Sequence, residues 1–189
     1  MKVVTAALNG LFGPGLGLPQ PAKSSLPFHH QRDILLGLLP LTQELEKSLF
    51  TPSKLVPELI VRNLDNSLKF WVDTLGFCVA YARFEEKFVY LDLGGAQLML
   101  EELNGIKGQW LTAALEPPLG RGVNFQISVP AVAPILEQVN LAGYTLFREC
   151  QDSWYVTGAG KVGQREFVVQ DPDGYLVRLT EQIGEQIEV

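Results

Sequence analysis

The order strand, helix, glycine exit, three strands is written twice in this chain, and a repeat of that kind restricts the fold more than any single motif. In the first copy Pro57 to Val61 reads as a strand, and Asn63-Leu64-Asp65 as a helix start with Asp65 or Asn63 as its cap. Ser67 to Thr74 continues the helix, which Leu75-Gly76-Phe77 ends through a glycine. Phe77 to Arg83, Phe88 to Leu93 and Ala96 to Glu101 follow as strands, divided by the polar Phe84-Glu85-Glu86-Lys87 turn and by Gly94-Gly95.

The second copy runs from Gly122 to Val129 as a strand, Ala133 to Leu141 as a helix, and Ala142-Gly143-Tyr144 as the same kind of exit. Trp154-Tyr155-Val156, Arg165 to Val169 and Tyr175 to Glu181 supply its other strands, the last two joined by the turn Asp171-Pro172-Asp173-Gly174. Val61 to Gly76 and Val129 to Gly143 are nearly equal intervals, so the closing hairpin is the counterpart of the one at Gly94-Gly95. The modules span about 55–103 and 121–182 of a domain covering 55–189, with a connecting loop that contains Pro117-Pro118 and Gly120. Neither module can cover both faces of its own sheet. The expected fold is therefore α+β, two βαβββ modules forming one curved mixed sheet around a cleft, with the helices outside.

Ahead of this domain lies an arm, residues 1–54. Its first thirty residues are dense in proline and glycine and are expected to be irregular. His29-His30 sits there without carboxylate or cysteine partners and reads as exposed polar sequence rather than a metal site. From about 33 to 50, Ile34, Leu35, Leu38, Leu41, Leu45 and Leu49 recur near helical spacing, with a kink expected at Pro40. Such a stripe would dock on the domain or on a second subunit.

A net charge of −6 argues against a nucleic-acid surface and suits cationic or neutral small partners. No apolar run approaches the ~20 residues that span a bilayer, and no clear small-residue cleavage site follows the N-terminus. A cytoplasmic, soluble protein is expected, with Cys78 and Cys150 as reduced thiols.

Gly163-Gln164-Arg165-Glu166-Phe167 followed by Asp171-Pro172-Asp173-Gly174 closely resembles a motif of the glyoxalase/bleomycin-resistance/dioxygenase group, the vicinal oxygen chelate superfamily. Val61-Arg62-Asn63-Leu64, Ser67-Leu68-Lys69-Phe70-Trp71 and Leu75-Gly76-Phe77 resemble that group's first strand and helix, and the likeness covers about residues 55 to 182. It implies that a metal-dependent member would place ligands on four strands, two from each module. Those places fall on Val56, Met99, Asn124 and Arg178, none of them a usual ligand. A slip of two residues would bring in Glu58 and Glu101, which share strand faces with Val56 and Met99. One of these acids is otherwise expected to pair with Arg178, whose charge needs a partner inside a cleft. Both histidines lie in the arm, so the domain lacks the commonest general base, and no catalytic residue, metal or cofactor is expected.

The expected cleft face carries Ile60, Gln97, Met99, Asn124, Gln126, Ser128, Leu176 and Arg178, with Phe88, Tyr90, Trp110, Arg121, Trp154, Tyr155 and Arg165 around it. Among these, Phe88, Tyr90, Met99, Trp110, Arg121, Asn124, Gln126, Trp154, Arg165 and Arg178 are the candidate ligand-binding residues, because aromatics give contact area at little entropic cost and amides and guanidinium groups fix orientation. Trp154 and Tyr155 are adjacent in a strand and must face opposite ways, and so must Arg165 and Glu166. The resemblance, closest to the bleomycin-resistance type, implies a metal-independent homodimer that sequesters a cationic, bleomycin-like glycopeptide or related compound without modifying it. The alternative it implies is a metal-dependent lyase or dioxygenase. One departure stands at Gly163, where drug-binding members carry a tryptophan.

Overall fold

A computed structural model describes residues 50–105, 109–158 and 160–187. The helix expected over about 33–50 and the His29-His30 pair lie outside the described residues, Phe50 apart. Strand β1 (Glu58–Val61) leads into helix α1 (Leu64–Leu68), whose N-cap is Asn63, the side chain accepting from the Asn66 N–H at 2.8 Å. The helix then widens to π geometry over Lys69–Thr74, with the Leu75 N–H donating to the Phe70 carbonyl at 2.9 Å. That widening seats two consecutive large aromatics, Phe70 and Trp71, fully in the core. Strands β2 (Cys78–Arg83), β3 (Phe88–Leu93) and β4 (Ala96–Glu102) complete the first module. The second contains β5 (Asn124–Ser128), helix α2 (Ala133–Leu141), β6 (Leu146–Thr157), β7 (Gly160–Gln170) and β8 (Leu176–Ile187). Its last three strands are longer than the short apolar runs in them suggest.

The modules do not merge into one curved sheet. They form two separate four-stranded sheets, ordered β1-β4-β3-β2 and β5-β8-β7-β6, each with one parallel pair, β1 with β4 and β5 with β8. The physical reason lies along β1. A sheet continuing from β1 into the second module would need the strand's backbone groups, and side chains of that module hold them instead. The Tyr175 hydroxyl donates to the Ile60 carbonyl at 3.0 Å, and Asp173 Oδ1 accepts from the Arg62 N–H at 3.0 Å. Burial pushes the Tyr175 phenol up to about 12, so it keeps the proton that it donates.

Nor do the helices stand outside. Phe70 meets Tyr144, just past α2, at 4.9 Å between ring centroids. Leu59, Val61, Leu98 and Leu100 of the first sheet and Ile127, Val177, Leu179 and Phe167 of the second belong to one core together with the helical Leu68, Trp71 and Val139. The helical segments lie between the sheets.

The turn between β7 and β8 is the joint. Asp171 Oδ1 accepts from the backbone N–H groups of Asp173, Gly174 and Tyr175 at 3.0, 2.8 and 2.8 Å, and its Oδ2 accepts from the Trp71 indole at 3.3 Å. Asp173 holds the Arg62 guanidinium at 2.7 Å and the Ser67 hydroxyl at 3.2 Å. Gly174, at φ +112°, lies so close to Pro118 and Leu119 that an added Cβ would stand 2.5 Å from the Pro118 Cβ and 2.7 Å from the Leu119 nitrogen.

Candidate functional site

Alternation along the strands of the first sheet sends Leu59, Val61, Val89, Leu91, Leu98 and Leu100 into the core. The other face carries Glu58, Ile60, Tyr81, Arg83, Phe88, Met99 and Glu101, and with Trp110 from the connecting loop these line a cavity of about 470 Å³. Glu58 lies opposite Met99, and Ile60 opposite Glu101, so the two acids stand on neighbouring strands of one face. Partial burial, hydrogen bonding to Glu101 and the repulsion of its charge hold the Glu58 carboxyl above the usual carboxylate range, against a smaller opposing pull from Arg83. Glu101 also accepts from the Gln109 amide at 2.8 Å.

The remaining wall is aromatic. Tyr81 stacks on Tyr90 at 5.0 Å and lies 6.0 Å from Phe88. The Arg83 guanidinium sits over the Phe88 ring at 3.8 Å and pairs with Glu86 at 2.5 Å. Arg83 acts on Glu58 as well as on Glu86, and with Glu101 the acids outnumber the one guanidinium, so the cavity is acidic. Trp110 is 92% exposed at the rim.

Of the residues expected in one cleft, Phe88, Met99 and Trp110 line this cavity and Tyr90 adjoins it behind Tyr81. Ile60 lines it as well and Gln97 lies further along β4, while the others belong to the second module. Arg178 does not pair with Glu58 or Glu101: its Nη1 reaches Glu166, fully buried on β7, at 3.4 Å, and its Nη2 donates to Gln126. Glu166 also accepts from the Tyr155 hydroxyl at 2.5 Å. Asn124 is exposed on β5. Arg121 donates to the carbonyls of Glu116, Pro117 and Pro118 in its own loop. Arg165 makes a two-pronged pair with Asp152 at 2.7 and 2.9 Å, exposed to water. Trp154 covers Gly163, where an added Cβ would lie 2.8 Å from the indole, so the glycine at the departure point leaves room for a tryptophan contributed by the neighbouring strand.

Tyr81 and Arg83 are the lining residues that strand reading passed over. Their signal was available in the period-two run of β2, which pairs with β3 and sets Tyr81 beside Tyr90.

A divalent ion does not fit this donor set. Val56, Met99, Asn124 and Arg178 offer no anionic or imidazole ligand, Glu58 and Glu101 are only two carboxylates, and no group of three or more His, Cys, Asp or Glu residues able to hold a metal occurs among the described residues. No helix among them is long and apolar enough to cross a membrane.

No protein-family model and no curated protein matches the chain. Solved structures do. A glyoxalase/bleomycin resistance protein/dioxygenase superfamily member from Vibrio splendidus is 38% identical, with 67% of this chain covering 96% of that one at a TM-score of 0.31. A virulence protein from Salmonella typhimurium shares 15% identity and a protein from Agrobacterium tumefaciens 21%. They have TM-scores of 0.52 and 0.53, cover 71% and 70% of this chain, and are themselves covered over 100% and 96% of their lengths. These two share the fold alone. At the identity found with the Vibrio protein, over nearly that protein's whole length, the chain belongs to the glyoxalase/bleomycin resistance protein/dioxygenase superfamily.

Proposed function

We propose that this protein is a metal-independent binding protein of the bleomycin-resistance type, a homodimer that sequesters a cationic ligand bearing flat rings, such as a bleomycin-like glycopeptide, without modifying it. The observation that carries the reading is the juxtaposition of Glu58 and Glu101 with an aromatic wall in one cavity. Two carboxylates that repel each other are stabilised by a cation between them, and the exposed Tyr81 and Trp110 offer ring faces to a planar group. The exposed apolar side chains of Phe147, Trp154 and Val156 on the edge strand β6 support self-association.

Trp71 is wholly buried and Trp154 lies on the second sheet, whereas Trp110 stands at the rim of the cavity, so ligand binding is expected to change mainly the Trp110 emission. Titration with bleomycin, followed by fluorescence and by calorimetry, tests the reading. Saturable micromolar binding that weakens when Glu58 and Glu101 are both changed to glutamine supports it; no saturation overturns the drug assignment. Stoichiometric Ni, Zn, Mn or Fe in protein prepared without chelator would overturn metal independence.

A further inference from the structure

The aromatic strip on the first sheet extends beyond the cavity. Tyr81 lines the open part and is 39% exposed, whereas its stacked neighbour Tyr90 is 3% exposed. Tyr90 lies on the inner strand β3 and Tyr81 on the edge strand β2, and Phe50 adds to the cover of Tyr90. Its ring stands edge-on to Tyr90 at 4.9 Å and to Tyr81 at 5.6 Å, with interplanar angles of 84° and 80°. The residues after it are latched to the same face. Gln97 donates to the Thr51 carbonyl at 3.2 Å, while its Oε1 accepts from the Ser53 N–H at 2.6 Å and from the Tyr90 hydroxyl at 2.8 Å. Asp92 fixes the Gln97 amide at 2.7 Å, and the Ser53 hydroxyl donates to the Gly95 carbonyl at 2.9 Å.

We propose that Phe50 is a specificity-determining wall of the acidic, aromatic site, and that it limits how far a flat cation can extend. With Phe50 in place a ligand ring can lie on Tyr81, the exposed ring of the strip, since Phe88 is buried beneath the Arg83 guanidinium. Three fused rings reach past Tyr81 toward Tyr90 and meet the Phe50 ring, whose centroid is 5.6 Å from that of Tyr81. One ring does not. The inference rests on the cation-binding reading above, and it adds a residue that precedes the repeated modules.

The test compares benzamidine, a one-ring cation, with proflavine, a three-ring cation, by calorimetry on the full chain. The wild type is expected to prefer benzamidine. Phe50→Ala should tighten proflavine at least tenfold while moving benzamidine less than twofold, Gln97→Ala should act in the same direction by releasing the latch, and Phe50→Trp should keep proflavine out. Circular dichroism establishes that each variant is folded. If changing Glu58 and Glu101 to glutamine abolishes benzamidine binding but Phe50→Ala leaves the preference unchanged, the wall is wrong and the site stands. If neither cation binds any variant, the cation reading fails and the wall fails with it.

Discussion

Replacing Asp171 with alanine tests the joint between the modules. Its carboxylate is 5% exposed and accepts three backbone N–H groups and one indole N–H. Of these four donors, only the Gly174 N–H has another acceptor, the Asp171 backbone carbonyl at 3.1 Å. Three donors would lose their acceptor, at about 1–3 kcal/mol for each that stays buried and unpaired. Part of this is offset, because burial holds the Asp171 carboxyl above its ordinary range even against the three backbone donors that favour the anion, so removing it relieves a buried charge. A net loss of about 3–4 kcal/mol follows. With a urea slope of about 2 kcal/mol/M, the midpoint should fall by about 1.5–2 M. Asp171→Asn keeps the oxygen that serves the backbone and turns an amide N–H toward the Trp71 indole, so it should cost only about 1–2 kcal/mol. Adding Trp71→Phe to Asp171→Asn should cost about 1 kcal/mol less than the two changes separately. Urea unfolding followed by far-ultraviolet circular dichroism at neutral pH measures all of these. An Asp171→Ala protein within 1 kcal/mol of the wild type, or indistinguishable from Asp171→Asn, would refute the reasoning.

Three shorter predictions accompany it. Gly174→Ala forces a side chain into left-handed backbone and against Pro118 and Leu119, and should lower stability by about 2–5 kcal/mol in the same urea assay. Gly163→Ala should displace the Trp154 indole and redden its emission with little loss of stability, because the added Cβ meets only the far edge of the half-exposed Trp154 ring, which can swing away into water. Glu58 titrates above an ordinary glutamate, so its ionised form costs the folded state at neutral pH, and that cost fades as pH falls through its folded value. The wild type should therefore gain stability relative to Glu58→Gln on mild acidification, while benzamidine binding weakens over the same range, which calorimetry at stepped pH measures.

The elements were legible because their signals are local. Asn63 caps its own helix, Asp171 to Gly174 supplies its own turn, and strand alternation separates Leu98 and Leu100 from Met99 and Glu101. The arrangement of the sheets was not, since it depends on which distant group satisfies β1, and the Tyr175 hydroxyl is 115 residues from the Ile60 carbonyl it caps. Once the sheets are separate, residues expected to face one another divide between them: Met99 lines a cavity, and Arg178 turns to Glu166. That pairing runs diagonally across β7 and β8, where Arg178 lies opposite Val168 and Glu166 opposite Thr180. A register shift between Gly163 and Gln164 further along this pair has no counterpart in the apolar pattern. Tyr81 escaped notice for a different reason, because an aromatic in a short strand is as suited to packing as to binding.

A chain built from two copies of one unit carries a hazard. An edge that accepts its own duplicate can equally accept a neighbour's, and head-to-tail addition of that kind need not close. The Tyr175 hydroxyl on the Ile60 carbonyl and Asp173 on the Arg62 N–H remove groups of that edge from strand pairing. They substitute a lock between dissimilar parts, hydroxyl and carboxylate against backbone, for the self-matching ladder. Runaway polymerisation through β1 is thereby discouraged, and Tyr175→Phe is the smallest change that would free the Ile60 carbonyl again.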